Sequence, residues 1–130
     1  MSVKITQIKG HKFRAQHEAA TIVSGRDAPD TPYEGMSPGT LMAAALGMCT
    51  AMHVETYLAQ QGIEDPGIEV NVSTKNGRDP PRVTSFTLEV NINAPLTEEQ
   101  VRGLKAEAHR CYVSNTIRGA PEIGITFNGS

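Results

Sequence analysis

The chain opens with short runs in which apolar and polar residues alternate. Residues 3–8 (VKITQI), 12–16 (KFRAQ) and 18–23 (EAATIV) have the two-residue period and β-branched content of strands. Gly10 and the polar stretch around it offer a turn. The pattern stops at 24–36 (SGRDAPDTPYEGM), where Gly, Pro and Asp mark a loop. Ser37 then suits a helix N-cap, and Pro38 suits the first helical position, where no amide proton is needed. A helix is expected from there to about Gln60 or Gln61, ended by Gly62 as a left-handed cap. Its first half, 41–52 (LMAAALGMCTAM), is apolar around most of its circumference, which predicts burial on most sides. Ala43, Ala44, Ala45 and Gly47 allow close approach by neighbours.

Two cleaner strands follow. Residues 68–74 (IEVNVST) and 85–93 (SFTLEVNIN) each put Ile, Val, Leu or Phe on one face and polar groups on the other, as in an antiparallel sheet with one wet side. Pro80 and Pro81 predict that the link 75–82 is a loop outside the ladder. Next, 96–101 (LTEEQV) spells a capping box, with Thr97 as cap, Gln100 reaching back, and Leu96 and Val101 as the hydrophobic staple. Val101, Leu104, Ala108 and Cys111 then fall on one helical stripe. The helix is expected to break near Ser114, Gly119 and Pro121, and 122–127 (EIGITF) reads as a last strand. The order β-β-β-α-β-β-α-β does not alternate strictly. It predicts an α+β class, with two core helices packed on antiparallel sheets in a single domain, 1–130.

Composition narrows the partners. The 130 residues hold 12 basic and 14 acidic side chains, a balance that argues against nucleic acid. Aromatics are 5% with no Trp, so the core must rest on aliphatic and Met packing. No apolar signal segment opens the sequence. The longest apolar run, Leu41 to Cys49, is far short of the ~20 residues of a membrane helix. The expectation is a soluble cytoplasmic protein without a membrane partner. Its two cysteines do not make a disulfide framework.

Cys49 and Cys111 are therefore the chemistry to explain. Free cysteine is among the most buried residue types and usually only packs. One thiol on each core helix adds another reading, because face-to-face packing of helices can bring Cα atoms within the ~5.5–6 Å that a disulfide requires, although spacing alone does not establish it. A reactive thiol needs a cation or donor nearby. His53 lies one turn after Cys49, and Arg26 lies in the loop before the helix. The same region offers Cys49, His53, His109 and Cys111 as a Cys2His2 zinc set. However, His109 and Cys111 would point about 200° apart on an ideal helix. No dinucleotide, Walker, serine-hydrolase or zincin motif occurs.

Residues 37–52 (SPGTLMAAALGMCTAM) resemble the signature of the OsmC/Ohr family, a Pro-led helix rich in Leu and Ala that reaches a Cys. Residues 109–117 (HRCYVSNTI) are similar to that family's second-cysteine segment, and 24–29 (SGRDAP) to its early Gly-Arg loop. The resemblance covers roughly 20–128. It implies an intertwined homodimer that reduces organic or inorganic hydroperoxides with an external dithiol and no other cofactor. Carried over, Cys49 is the peroxidatic cysteine, Cys111 the resolving one, and Arg26 the holder of the thiolate. The apolar helix would wall a pocket for a hydrophobic peroxide, with Met48, Met52 and His53 as binding residues. Three departures stand out. Gly39 occupies the position of the Ohr branch's glutamate, Tyr112 that of a proline, and His53 is unexpected. The alternative reading is a non-enzymatic dimer that binds a small molecule, with cysteines that only pack.

Overall fold

The computed structural model describes residues 1–129. The chain forms two compact units. The first is Met1–Ala44 and the second begins at Ala45. No described helix is long and apolar enough to cross a membrane.

The N-terminal unit is an antiparallel sheet in the order β1-β2-β3: Lys4–Lys9, His11–His17 and Ala20–Arg26. Gly10 turns between β1 and β2 at φ +54°, and a β-carbon there would run into the carbonyl of Asp27. Strand β3 runs on through Ser24, Gly25 and Arg26, which the sequence assigns to loop. Those residues pair with Phe13, Lys12 and His11. Their other edge is taken by the returning chain, with Glu34 N–H donating to Gly25 O at 2.8 Å and Ser24 Oγ to Met36 O at 2.7 Å. Tertiary pairing therefore overrides the turn-forming composition. Helix α1, Pro38–Gln60, starts as expected, with Thr40 N–H donating to Ser37 Oγ at 3.3 Å.

The C-terminal unit holds the rest of α1, the hairpin of β4 (Glu69–Arg78) and β5 (Pro81–Asn91), helix α2 (Glu98–Ala108) and helix α3 (Tyr112–Arg118). Helix α1 ends in a Schellman cap: Gly62 at φ +78°, with Gly62 N–H donating to Ala59 O and Ile63 N–H to Leu58 O. The apolar faces of β4 and β5 are in register, with Val70 opposite Val90 and Val72 opposite Leu88. A β-carbon on Gly47 would sit 2.9 Å from Val72 Cγ2, so glycine there lets α1 lie close on β4.

Four further expectations change. The ladder does not stop before the prolines: Asn76, Gly77 and Arg78 pair with Val83, Arg82 and Pro81 after a bulge. Pro81 begins its strand, where proline is tolerated. Helix α1 is not buried on most sides. Its buried stripe is Leu46, Thr50, Val54 and Leu58 at four-residue spacing, while Met42, Met48 and Met52 are 40%, 57% and 67% exposed. Cys111 does not lie on α2. That helix closes with i→i+3 bonds from His109, Arg110 and Cys111, and Cys111 becomes the extended N-cap of α3. Finally, 122–127 forms no strand, because no strand of the described chain pairs with it. Its alternating Ile123, Ile125 and Phe127 are 84%, 73% and 91% exposed. The capping box of α2 forms in full, between Thr97 and Gln100.

Candidate functional site

Sequence places Cys49 one position off the buried stripe of α1, and it is half-buried. Cys111 is 1% exposed. Its position as N-cap of α3 gives the sulfur a donor set. Burial pushes the Cys111 thiol up. The Ser114 N–H, the Cys49 thiol, the Thr50 hydroxyl and the Val113 N–H together outweigh that, and its pKa falls below the ordinary thiol value. Thr50 Oγ1 is 3.9 Å from Cys111 Sγ. Cys49 is thus near enough for its thiol to lower the Cys111 pKa, and both cysteines are free thiols. Helix α1 supplies one and the start of α3 the other.

A cavity of about 540 Å³ opens beside Cys111. Leu46 and Thr50 of α1 line it on one side and Phe86, Leu88 and Val90 of β5 on another. Thr84 and Ser85 of β5, with Ala108, Ser114, Ile117 and Arg118, complete the wall around the thiol. The lining is mainly apolar and includes several hydroxyls and one guanidinium. Met48 and Met52 are not among the lining residues, since both stand on the exposed face of α1.

His53 is held by α2. Its Nδ1 lies 3.0 Å from Glu107 Oε1, with the two side chains 26% and 16% exposed. Arg110 Nη1 approaches the other carboxylate oxygen at 3.9 Å from solvent. The zinc set is not assembled. Among the described residues no three His, Cys, Asp or Glu side chains cluster as metal ligands. His109 is exposed, and its carbonyl accepts from Asn115 Nδ2.

Arg26 belongs to the N-terminal unit. There its Nη1 donates to Thr31 O at 3.3 Å, and its guanidinium lies 4.5 Å from the centroid of the Tyr33 ring. It borders an apolar groove of about 750 Å³ with Phe13, Ile22 and Tyr33. On the same unit Lys12 is shared between Asp27 at 2.8 Å and Glu34 at 3.0 Å. Hydrogen bonds that Lys12 donates to these carboxylates raise its pKa, and the Lys12 ammonium lowers that of Asp27.

Three site residues escape the sequence reading: Thr50, Glu107 and Ser114. Thr50 carries a signal, being the one polar residue on the Leu46–Val54–Leu58 stripe. Glu107 and Ser114 carry none, because only the packing of α2 and the cap of α3 turn them toward His53 and Cys111.

The profile of the OsmC-like protein family matches residues 29–126. No curated protein sequence matches the chain. Among solved structures, an OsmC-like protein from Mycoplasma pneumoniae is 17% identical at a TM-score of 0.73, over 92% of this chain and 89% of that one. An osmotic stress induced and detoxification response protein from Psychrobacter arcticus gives 21% identity and a TM-score of 0.77, over 89% and 87%. The organic hydroperoxide resistance protein OhrB of Bacillus subtilis is 25% identical at a TM-score of 0.60, over 92% of each chain. A family profile across most of the chain, two cysteine segments in their expected order and the shared α+β fold lead to one conclusion: this chain belongs to the OsmC-like protein family.

Proposed function

We propose that the protein is a thiol-dependent hydroperoxide reductase of oxidative-stress defence, working through Cys49 and Cys111. The observation that carries this reading is the approach of the two thiols in the C-terminal unit. Similarity to an organic hydroperoxide resistance protein supports it. The Cys49 thiolate attacks the distal oxygen of a hydroperoxide, giving a sulfenic acid and releasing the alcohol. Cys111, whose thiolate is favoured by its donors, displaces hydroxide from that sulfenic sulfur and closes a disulfide. An external dithiol then restores both thiols by exchange. The apolar lining beside Cys111 favours an organic peroxide over a hydrated one. Arg26 enters this reading from the sequence resemblance, and its partners in the structure are those of its own unit.

The working form in this reading is a homodimer. The exposed Met48, Met52, Ile123, Ile125 and Phe127 are the surface it would cover. The cavity beside Cys111 also favours a second reading, a non-enzymatic module that binds an apolar ligand.

Intact mass separates the two. Reduced protein treated briefly with one equivalent of an organic hydroperoxide loses about 2 Da if the thiols pair, and Cys49→Ser stops at its starting mass. Unchanged mass with both thiols free rejects the reductase and leaves the binding module.

A further inference from the structure

We propose that His53, held in place by Glu107, is the proton acceptor for the Cys49 thiol. The step it serves rests on the reductase reading, but the geometry does not. His53 follows Cys49 by four residues on α1, so the two side chains share a face with β-carbons about 5–6 Å apart. Helical side chains lean toward the N-terminus, so a side chain at this spacing leans back toward the turn that carries Cys49.

The ring is also oriented. A carboxylate only accepts, so in the 3.0 Å contact Nδ1 donates to Glu107 Oε1. The neutral ring then keeps its lone pair on Nε2, away from Glu107. The surrounding titratable groups leave that nitrogen free among the described contacts. Glu107 of α2 is on Nδ1, Arg110 is on the far carboxylate oxygen, and Tyr57, one turn on, lies across Gly103 of α2. The His53–Glu107 contact, with Cys49 one helical turn before His53, supplies the residue types (nucleophile, base and orienting carboxylate) that activate catalytic cysteines on unrelated folds. The two sulfurs would then use different devices. Cys111 draws on backbone N–H groups and two neighbouring hydroxyl and thiol donors, and Cys49 on an imidazole.

The step balances as follows. The S–H proton of Cys49 passes to His53 Nε2. The thiolate pair forms a bond to the distal peroxide oxygen as the O–O bond breaks. Sulfur is oxidised by two electrons and the peroxide reduced by two. The proton on the imidazolium goes to the departing alkoxide, which leaves as alcohol.

Iodoacetamide tests this without peroxide. In Cys111→Ser protein, where Cys49 is the only thiol, the pH profile of the alkylation rate is expected to carry a step below that of a simple thiol. His53→Gln should remove that step and slow alkylation at neutral pH by about tenfold, as a thiol of ordinary pKa is only a few per cent ionised there. Glu107→Ala, which frees the ring, should lose most of the same gain. Glu107→Gln, whose amide oxygen still accepts from Nδ1, should recover it. If His53→Gln does not fold, the His53→Gln/Glu107→Gln pair, which keeps an amide–amide hydrogen bond, carries the comparison. Superimposable profiles with and without His53 overturn the proposal, even in a protein that consumes cumene hydroperoxide. A two-step profile in a protein that consumes none rejects the reductase reading and leaves His53 in its role.

Discussion

Gly103→Ala tests the seam that brings Glu107 opposite His53. Glu107 lies four residues after Gly103 on α2, and Tyr57 four residues after His53 on α1. The pairs His53–Glu107 and Tyr57–Gly103 are therefore successive rungs between two antiparallel helices. Propensity alone favours the substitution, since alanine is better than glycine inside a helix by about 0.8–1 kcal/mol. Packing opposes it. A β-carbon on Gly103 would overlap Oη, Cζ and Cε2 of Tyr57, three atoms of one rigid side chain, so the ring must leave or the helices must part. Overpacking of this kind costs about 1–3 kcal/mol. With three overlapping atoms the upper part of that range applies, and the net expectation is a loss of about 1–2 kcal/mol. The assay is urea unfolding at fixed protein concentration, in the parent and in a Tyr57→Ala background. Without the ring, Gly103→Ala should stabilise by about 0.8–1 kcal/mol, so the two sites couple by about 2–3 kcal/mol. If Gly103→Ala stabilises the parent, or shifts both backgrounds alike, the seam is not packed as described.

Two other outcomes are expected. Donors lower the Cys111 thiol pKa in the folded state in spite of burial. Its contribution to stability is then full above the ordinary value of 9.0 and is lost as pH falls through the folded value. The urea midpoint of the parent minus that of Cys111→Ala should therefore widen from neutral pH toward 9.0, and a constant or shrinking difference contradicts the donor set. Removal of 121–130 takes away the exposed apolar strand pattern at Ile123, Ile125 and Phe127. Light scattering should find a dimer before truncation and a monomer after it, and an unchanged mass places the dimer contact elsewhere.

Much of the architecture was legible in local chemistry. The Ser37–Pro38 start, the Gly62 stop and the Thr97–Gln100 capping box depend on residues within one turn of each other, and each forms as its sequence dictates. The one-sided patterns of β4 and β5 likewise state their own buried face. Both candidate cysteines could be picked from the sequence, because a thiol pair is rare chemistry in a chain with two.

What sequence alone left open is whatever depends on a partner from elsewhere in the chain. Ser24–Arg26 has loop composition, yet it is strand because β2 and the returning Gly35 region offer hydrogen bonds on both edges. Residues 122–127 have strand composition, yet they form none because the described chain gives them no edge to join. The apolar circumference of α1 does not say which stripe is covered, and packing chose Leu46, Thr50, Val54 and Leu58. The end of α2 at Ala108 moved Cys111 from a helix face to a cap, where backbone N–H groups reach its sulfur. Periodicity fixes the face a side chain takes on its own element. Only tertiary packing decides which donor, acid or thiol meets that face, and on those meetings the chemistry proposed for Cys49, His53, Glu107 and Cys111 depends.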